Sequence, residues 1–123
     1  MDKVLLIGEP MELLLAEEEG ALADTVHFRA SVSGAEINVA VGLSRLGLCP
    51  RFMTRLGDDP RAQRIRAFMK ANGISDDLII TDPYHLTGSM MKSKSEPGKH
   101  EIYYFRQDSA ASFLCENDVD GID

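Results

Sequence analysis

The residues best placed to do chemistry lie in the run Ser33-Gly34-Ala35-Glu36-Ile37-Asn38-Val39-Ala40. A glycine where extended chain gives way to helix lets backbone approach a ligand closely. The new helix then offers N–H groups that have no partner inside it. Asn38 falls in the first turn and carries both a donor and an acceptor. Polyhydroxylated ligands call for such pairs, although by pattern alone a structural turn with a helix-start asparagine is the simpler account. A second pair stands in Tyr103-Tyr104-Phe105-Arg106. Tyr104 and Arg106 are two apart, so on a strand they share a face. An arginine fork suits a carboxylate through two charge-assisted hydrogen bonds. A tyrosine beside it can pack on the ligand and donate its hydroxyl. By spacing alone, a solvated arginine on an edge strand competes with that account.

Other reactive types are dispersed. His27, His85 and His100 form no ligand spacing and read as surface histidines. Cys49 and Cys115 belong to no Cys-x-x-Cys pair or zinc-type pattern, and read as reduced thiols. Glu17-Glu18-Glu19 reads as a solvated turn before Gly20. Basic residues number 13 against 20 acidic, a formal charge of −7, which argues against a nucleic-acid partner. The only apolar opening run, Val4 to Ile7, is too short for a secretory core or a membrane span. A cytoplasmic protein with no membrane partner is expected. With 44% apolar residues, a 123-residue chain can form one packed core.

The elements that must position these residues follow from periodicity. Val4–Ile7, uniformly apolar and closed by Gly8, reads as a strand buried on both faces. Met11–Leu15 is a second strand candidate. In Thr25–Val32 the residues Val26, Phe28, Ala30 and Val32 alternate onto one face of a third. From Ala35 to Leu46 the period becomes helical, with Val39, Leu43 and Leu46 as the stripe and Ile37, Ala40 and Val41 widening it. Gly47 closes that helix as a left-handed cap. Arg51–Leu56 is a strand, and Gly57-Asp58-Asp59-Pro60 is a helix start with an acidic cap and proline in the first helical position. That helix runs to Ala71, with Ile65, Phe68 and Met69 inward and Arg61, Arg64, Arg66 and Lys70 outward. With Leu78–Ile80 as the next strand, this is a strand-helix-strand unit of a parallel sheet. Thr87–Lys94 and His100–Arg106 read as a hairpin about the turn Ser95-Glu96-Pro97-Gly98-Lys99. The tail after Glu116 supplies no closing element, so uncovered strands and a homo-oligomer are expected.

Taken together, Gly8-Glu9 after a buried strand, Gly34-Ala35-Glu36-Ile37-Asn38-Val39-Ala40, Leu46-Gly47 and Gly57-Asp58-Asp59-Pro60 resemble, in that order, the amino-terminal signature of the ribokinase family of carbohydrate kinases. The resemblance implies an α/β fold: part of a Rossmann-type parallel sheet with helices, plus a small β-sheet lid formed near residues 11–32 and 86–106. It implies that Gly34 and Asn38, with Ala35, meet the hydroxyls of a small-molecule sugar. The segment Tyr103-Tyr104-Phe105-Arg106-Gln107-Asp108-Ser109-Ala110-Ala111-Ser112 resembles the subgroup acting on 2-keto-3-deoxygluconate, which implies that Tyr104 and Arg106 hold the acid end. Met90 departs from that subgroup, which often has an aromatic residue there. Where family members often carry an aspartate after the first strand, the nearby acidic residue is Glu12.

The family's catalytic aspartate lies in a glycine-rich Asp-Thr-x-Gly-Ala-Gly-Asp motif, whose glycines and helix start stabilise transferring phosphate. No such motif occurs in these 123 residues, and Asp118, Asp120 and Asp123 are in no glycine-rich context. The resemblance thus implies an amino-terminal piece of a kinase that uses ATP and magnesium. The carboxy-terminal nucleotide-binding half is absent, and the piece by itself is expected to bind neither cofactor and to be inactive. Relatives with fructose, ribose or a nucleoside as substrate, or a non-catalytic sugar-binding or dimerisation module, are the competing expectations. A dimer joined through the lid is a further implication.

Overall fold

The structure is a computed structural model and describes residues 3–95 and 100–122. Of the turn expected at 95–99, all but Ser95 therefore lies outside the described residues. Two sheets share the chain. The first is parallel, with the order β1 (Lys3–Ile7), β4 (Cys49–Gly57), β5 (Ile79–Asp82). The second is mixed, with the order β3 (Phe28–Ser33), β2 (Met11–Glu19), β6 (Ser89–Lys94), β7 (Ile102–Phe105). In it β2 pairs parallel with β6, and β3 and β7 pair antiparallel at the two edges. This is the expected α/β combination of a parallel sheet and a separate small sheet.

Helices α1 (Ala35–Arg45) and α2 (Pro60–Ala71) supply the core of the first sheet. Ile37 and Ala40 of α1 and Ile65 and Met69 of α2 are buried against Phe52 and Leu56 of β4, with Leu6 packed alongside. Both helices end in the same motif. After α1, Gly47 has φ 86° and the Leu48 N–H reaches back to the Leu43 carbonyl at 3.1 Å. After α2, Gly73 has φ 69° and the Ile74 N–H reaches the Met69 carbonyl at 2.9 Å. These left-handed glycines satisfy carbonyls that the helix would otherwise leave open. α2 begins as expected: the Asp59 side chain accepts from the Ala62 N–H at 2.8 Å, and Pro60 follows the cap.

Four expectations need correction. β1 is not buried on both faces: Leu5 and Ile7 are 44% and 47% exposed. α1 packs on β1 and β4 and α2 on β4, while the segment after β7 packs on β4, where Met53 is buried. In α1, Ile37, Ala40 and Val41 meet the sheet, but Val39 and Leu46 are exposed. The helix carries two apolar stripes on opposite sides, and one of them is uncovered here. Val26 lies outside β3 and is exposed. Finally, Glu17-Glu18-Glu19 is not a turn but the end of β2. Glu18 accepts from the N–H groups of Val26 and His27 at 2.9 and 2.8 Å, and this pinning prolongs the strand. Those bonds, that of Val26 first, hold the Glu18 carboxyl below its ordinary range.

Candidate functional site

The first parallel strand ends at Ile7, and its carboxyl end points to a cleft between the two sheets. Ligands of α/β sheets bind outside the carboxyl ends of strands. This cleft has a volume of about 340 Å³. Glu9 and Met11 line it from the chain leaving β1, and Ser33, Gly34, Ala35 and Glu36 from the junction of β3 with α1. Met90 of β6, Tyr104 of β7 and Arg106 close it from the second sheet. A larger recess of about 540 Å³, with Arg29, Lys92, Lys94 and His100, lies further along that sheet. It lies at the Lys94 end of β6, away from the carboxyl end of β1 and from the start of α1, so the smaller cleft is the better candidate.

The glycines here have steric reasons. Gly34 caps α1 with φ 142°, a conformation that side chains avoid. A Cβ there would stand 3.1 Å from the Glu9 carbonyl oxygen. A Cβ on Gly8 would stand 2.6 Å from Cδ of Glu36, so Gly8 makes room for that side chain. Glu9 is fixed in turn: the Ser109 Oγ donates to its Oε2 at 2.6 Å.

Of the five residues singled out by sequence, four converge. Gly34, Ala35, Tyr104 and Arg106 line one cleft. The Arg106 guanidinium carbon lies 4.7 Å from the centre of the Tyr104 ring, a cation–π stack that holds the fork over the sheet. Arg106 makes no ion pair among the described residues. Asn38 is exposed one turn along α1, beyond the residues that line the cleft. Met90 is 6% exposed and sits opposite Tyr104 across the β6–β7 pair. Glu12 points away from the cleft, towards α2. Its carboxylate meets Arg64 at 3.2 Å and Arg61 at 3.8 Å. Arg61 and Arg64, expected to face solvent, thus tie α2 to the second sheet.

The Gly57-Asp58-Asp59 segment also acts at this joint. Thr87, 2% exposed, receives the Gly57 N–H on its Oγ1 at 2.9 Å and gives its own N–H to Asp59 Oδ2 at 2.9 Å. The Thr87 carbonyl accepts from Arg61 at 3.0 Å. Burial alone would raise the Asp59 carboxyl, but the amides of Thr87 and Ala62 and the nearby Arg61 charge bring it below its ordinary range. Beside the joint, His85 bonds Asp82 at 2.8 Å and stacks on Phe113 with ring centres 3.8 Å apart, so it is not merely a surface histidine. The Tyr84 N–H and then His85 lower the Asp82 carboxyl.

Glu9, Met11, Ser33 and Glu36 also line the cleft, although sequence alone assigns none of them a role of its own. The signal for Glu9 was its place after the first parallel strand; for the others it was only adjacency to Gly34 or to β2. Among the described residues no cluster of His, Cys, Asp or Glu could hold a metal ion.

Comparison with known proteins bears on this arrangement. The chain is 36% identical over 108 residues to the 2-dehydro-3-deoxygluconokinase of Bacillus subtilis, covering 87% of this chain and 33% of that protein. It is 29% identical over 117 residues to the fructokinase of Escherichia coli, covering 95% and 36%. Among solved structures, a PfkB protein from Polaromonas sp. JS666 superposes with a TM-score of 0.90 at 38% identity, over 97% of this chain and 40% of that one. A sugar kinase of Pyrococcus horikoshii in complex with ATP gives 0.86 at 28% identity, over 93% and 37%. The chain thus spans about a third of the length of these curated relatives. The profile of the pfkB family carbohydrate kinase matches residues 1–120, and the chain belongs to that family.

Proposed function

We propose that this chain is the sugar-binding part of a kinase that moves the γ-phosphoryl group of ATP onto a hydroxyl of a 2-keto-3-deoxy sugar acid. The observation that carries this reading is the Arg106 guanidinium. It is stacked on Tyr104, has no ion-pair partner among the described residues, and faces the same cleft as the start of α1. A preorganised fork of this kind fits a ligand carboxylate, and a neutral sugar would not call for it. In this reading Gly34 and Ala35 meet the hydroxyl end, with Asn38 reaching it from one turn further along α1, outside the cleft lining, and Tyr104 and Arg106 meet the acid end. The likeness to a 2-dehydro-3-deoxygluconokinase supports the acid sugar.

The residues described here bind and orient. None is assigned the proton of the attacking hydroxyl, and no ligand set for magnesium is assigned in this chain. ATP would supply the phosphoryl group, as the family and the ATP complex of its Pyrococcus relative suggest. The lid role of the second sheet, over residues 11–32 and 86–106, belongs to the same proposal, as does a cytoplasmic setting.

A neutral-sugar kinase is the second reading. Two carboxylates in the cleft, Glu9 and Glu36, and the apolar Met90 favour it. Calorimetric titration of this chain with 2-keto-3-deoxygluconate and with fructose separates the two. The acid-sugar reading expects the keto acid to bind more tightly, and Arg106→Ala to weaken it at least tenfold. Unchanged keto-acid binding by Arg106→Ala, or a preference for fructose, would sink it.

A further inference from the structure

We infer that Glu9, set by Ser109, is a specificity residue that reads the hydroxyl end of the ligand. This rests on the acid-sugar reading of the cleft and assigns the group that takes a ligand hydroxyl. Glu9 follows the end of β1 and lines the same cleft as Tyr104 and Arg106. Its Oε2 is taken by the Ser109 hydroxyl at 2.6 Å. No hydrogen bond engages Oε1 among the described residues, which leaves an acceptor within the cleft.

Ser109 is itself held at every polar group. It is 3% exposed, its N–H donates to the Arg106 carbonyl at 3.2 Å, and its carbonyl accepts from the Ser112 hydroxyl at 2.6 Å. The next residue, Ala110, is buried and donates its N–H to the Leu86 carbonyl at 2.7 Å. The hydroxyl that fixes Glu9 is therefore anchored on the chain that carries Arg106, three residues earlier. One short segment sets both the cationic and the anionic wall of the cleft. Gly88 leaves space for this contact, because a Cβ there would stand 2.7 Å from Glu9 Oε2 and 3.4 Å from the Arg106 Cβ.

The chemistry follows from the two walls. A carboxylate accepts hydrogen bonds and donates none, so Glu9 takes a ligand hydroxyl. It repels a ligand carboxylate, which Arg106 attracts. A ligand with an acid at one end and hydroxyls at the other thus has one favoured direction. A hydroxyl-free keto acid uses Arg106 alone. Ser109 touches no ligand in this scheme and acts as a positioning residue.

The test compares two ligands by calorimetry on the 123-residue chain. They are 2-keto-3-deoxygluconate and 2-oxohexanoate, which has the same six carbons and keto acid but no hydroxyls. Glu9→Gln is expected to weaken the hydroxylated ligand about tenfold, the effect of one charge-assisted hydrogen bond, and to leave 2-oxohexanoate unchanged or slightly tighter. Ser109→Ala should act in the same direction and add nothing to Glu9→Gln in the double variant. Arg106→Ala should weaken both ligands. Retained 2-oxohexanoate binding shows that the Glu9 and Ser109 variants keep a folded site. Equal weakening of both ligands by Glu9→Gln, or no effect on either, overturns the role of Glu9 while Arg106 dependence leaves the acid-sugar reading standing. Binding of neither acid by the unaltered chain overturns that reading and this inference together.

Discussion

Single residues carry energies that the sequence does not display. Thr54 is fully buried in β4, and its Oγ1 has no hydrogen-bond partner among the described residues. A buried hydroxyl without a partner costs free energy that a methyl group of the same shape does not. Thr54→Val should therefore stabilise the chain, by about 1 kcal/mol, read as a higher urea midpoint at unchanged slope. A lower midpoint would show that the hydroxyl has a partner after all. Asp118 is the opposite case. Both its oxygens are held by the Arg55 fork at 2.6 and 2.8 Å, which lowers its carboxyl to about 2 although burial pushes the other way. Since an unfolded aspartate titrates near 4, the folded pKa is depressed. The stability from this pair is whole above pH ~4 and is lost as pH falls through ~2. Asp118→Asn should cost about 1 kcal/mol at pH 7 and progressively less below pH ~4, followed by thermal unfolding across that range. A gap that stays constant down to pH 2 would count against the assignment. Neither residue could be ranked from sequence, because the partner of Asp118 lies 63 positions away and Thr54 sits in an ordinary strand pattern.

At the level of elements, the joint between the two sheets is where local signals and long-range contacts coincide. Gly57-Asp58-Asp59-Pro60 is legible as a helix start, and the cap on Ala62 matches it. What the pattern does not reveal is that the other oxygen of Asp59 and the N–H of Gly57 both clasp Thr87, the residue that leads into β6. Thr87→Val should leave the Gly57 N–H buried and unsatisfied and cost roughly 1–3 kcal/mol, whereas Thr87→Ser should restore most of it. Equal loss in both variants would point to packing of the methyl group instead. Gly57→Ala should be as damaging, since its Cβ would stand 2.6 Å from the His85 carbonyl oxygen. The helical and strand periods were readable where one face is buried, as in α2 and in Phe28, Ala30 and Val32 of β3. They misled where apolar residues line two sides. Val39, Leu43 and Leu46 make as good a stripe as Ile37, Ala40 and Val41, and periodicity cannot say which one the sheet covers. The cleft was readable in part for the same reason. Gly34 stands out because of its junction, and Tyr104 with Arg106 because of strand alternation. Glu9 and Ser109 meet across 100 positions, and no local period reports such a contact.

For the molecule as a whole, the two sheets leave apolar surface in distinct places. Leu5 and Ile7 are exposed on the outer face of β1, and Val39 and Leu46 on the outer side of α1. At the far edge of the second sheet, Ile102, Tyr103, Tyr104 and Phe105 of β7 are each between 42% and 56% exposed. An edge strand with unpaired backbone groups and apolar side chains is a template for pairing with another chain. Tyr104 already serves the cleft and stacks with Arg106, but Tyr103 points to the opposite face, in register with Met91. The net charge of −7 opposes close approach of two copies, so association should strengthen as salt screens it. Sedimentation equilibrium of this 13.6 kDa chain is therefore expected to give a higher average mass at high protein concentration, and more so at 0.5 M salt than at low salt. Tyr103→Lys should reduce that mass if β7 forms the contact. Leu5→Lys should reduce it instead if the outer face of β1 does, because each places a charge where an apolar face would be desolvated. A mass that stays at the monomer value at all concentrations and salts would mean that neither surface drives self-association. Insensitivity to both substitutions would move the contact to the uncovered stripe of α1.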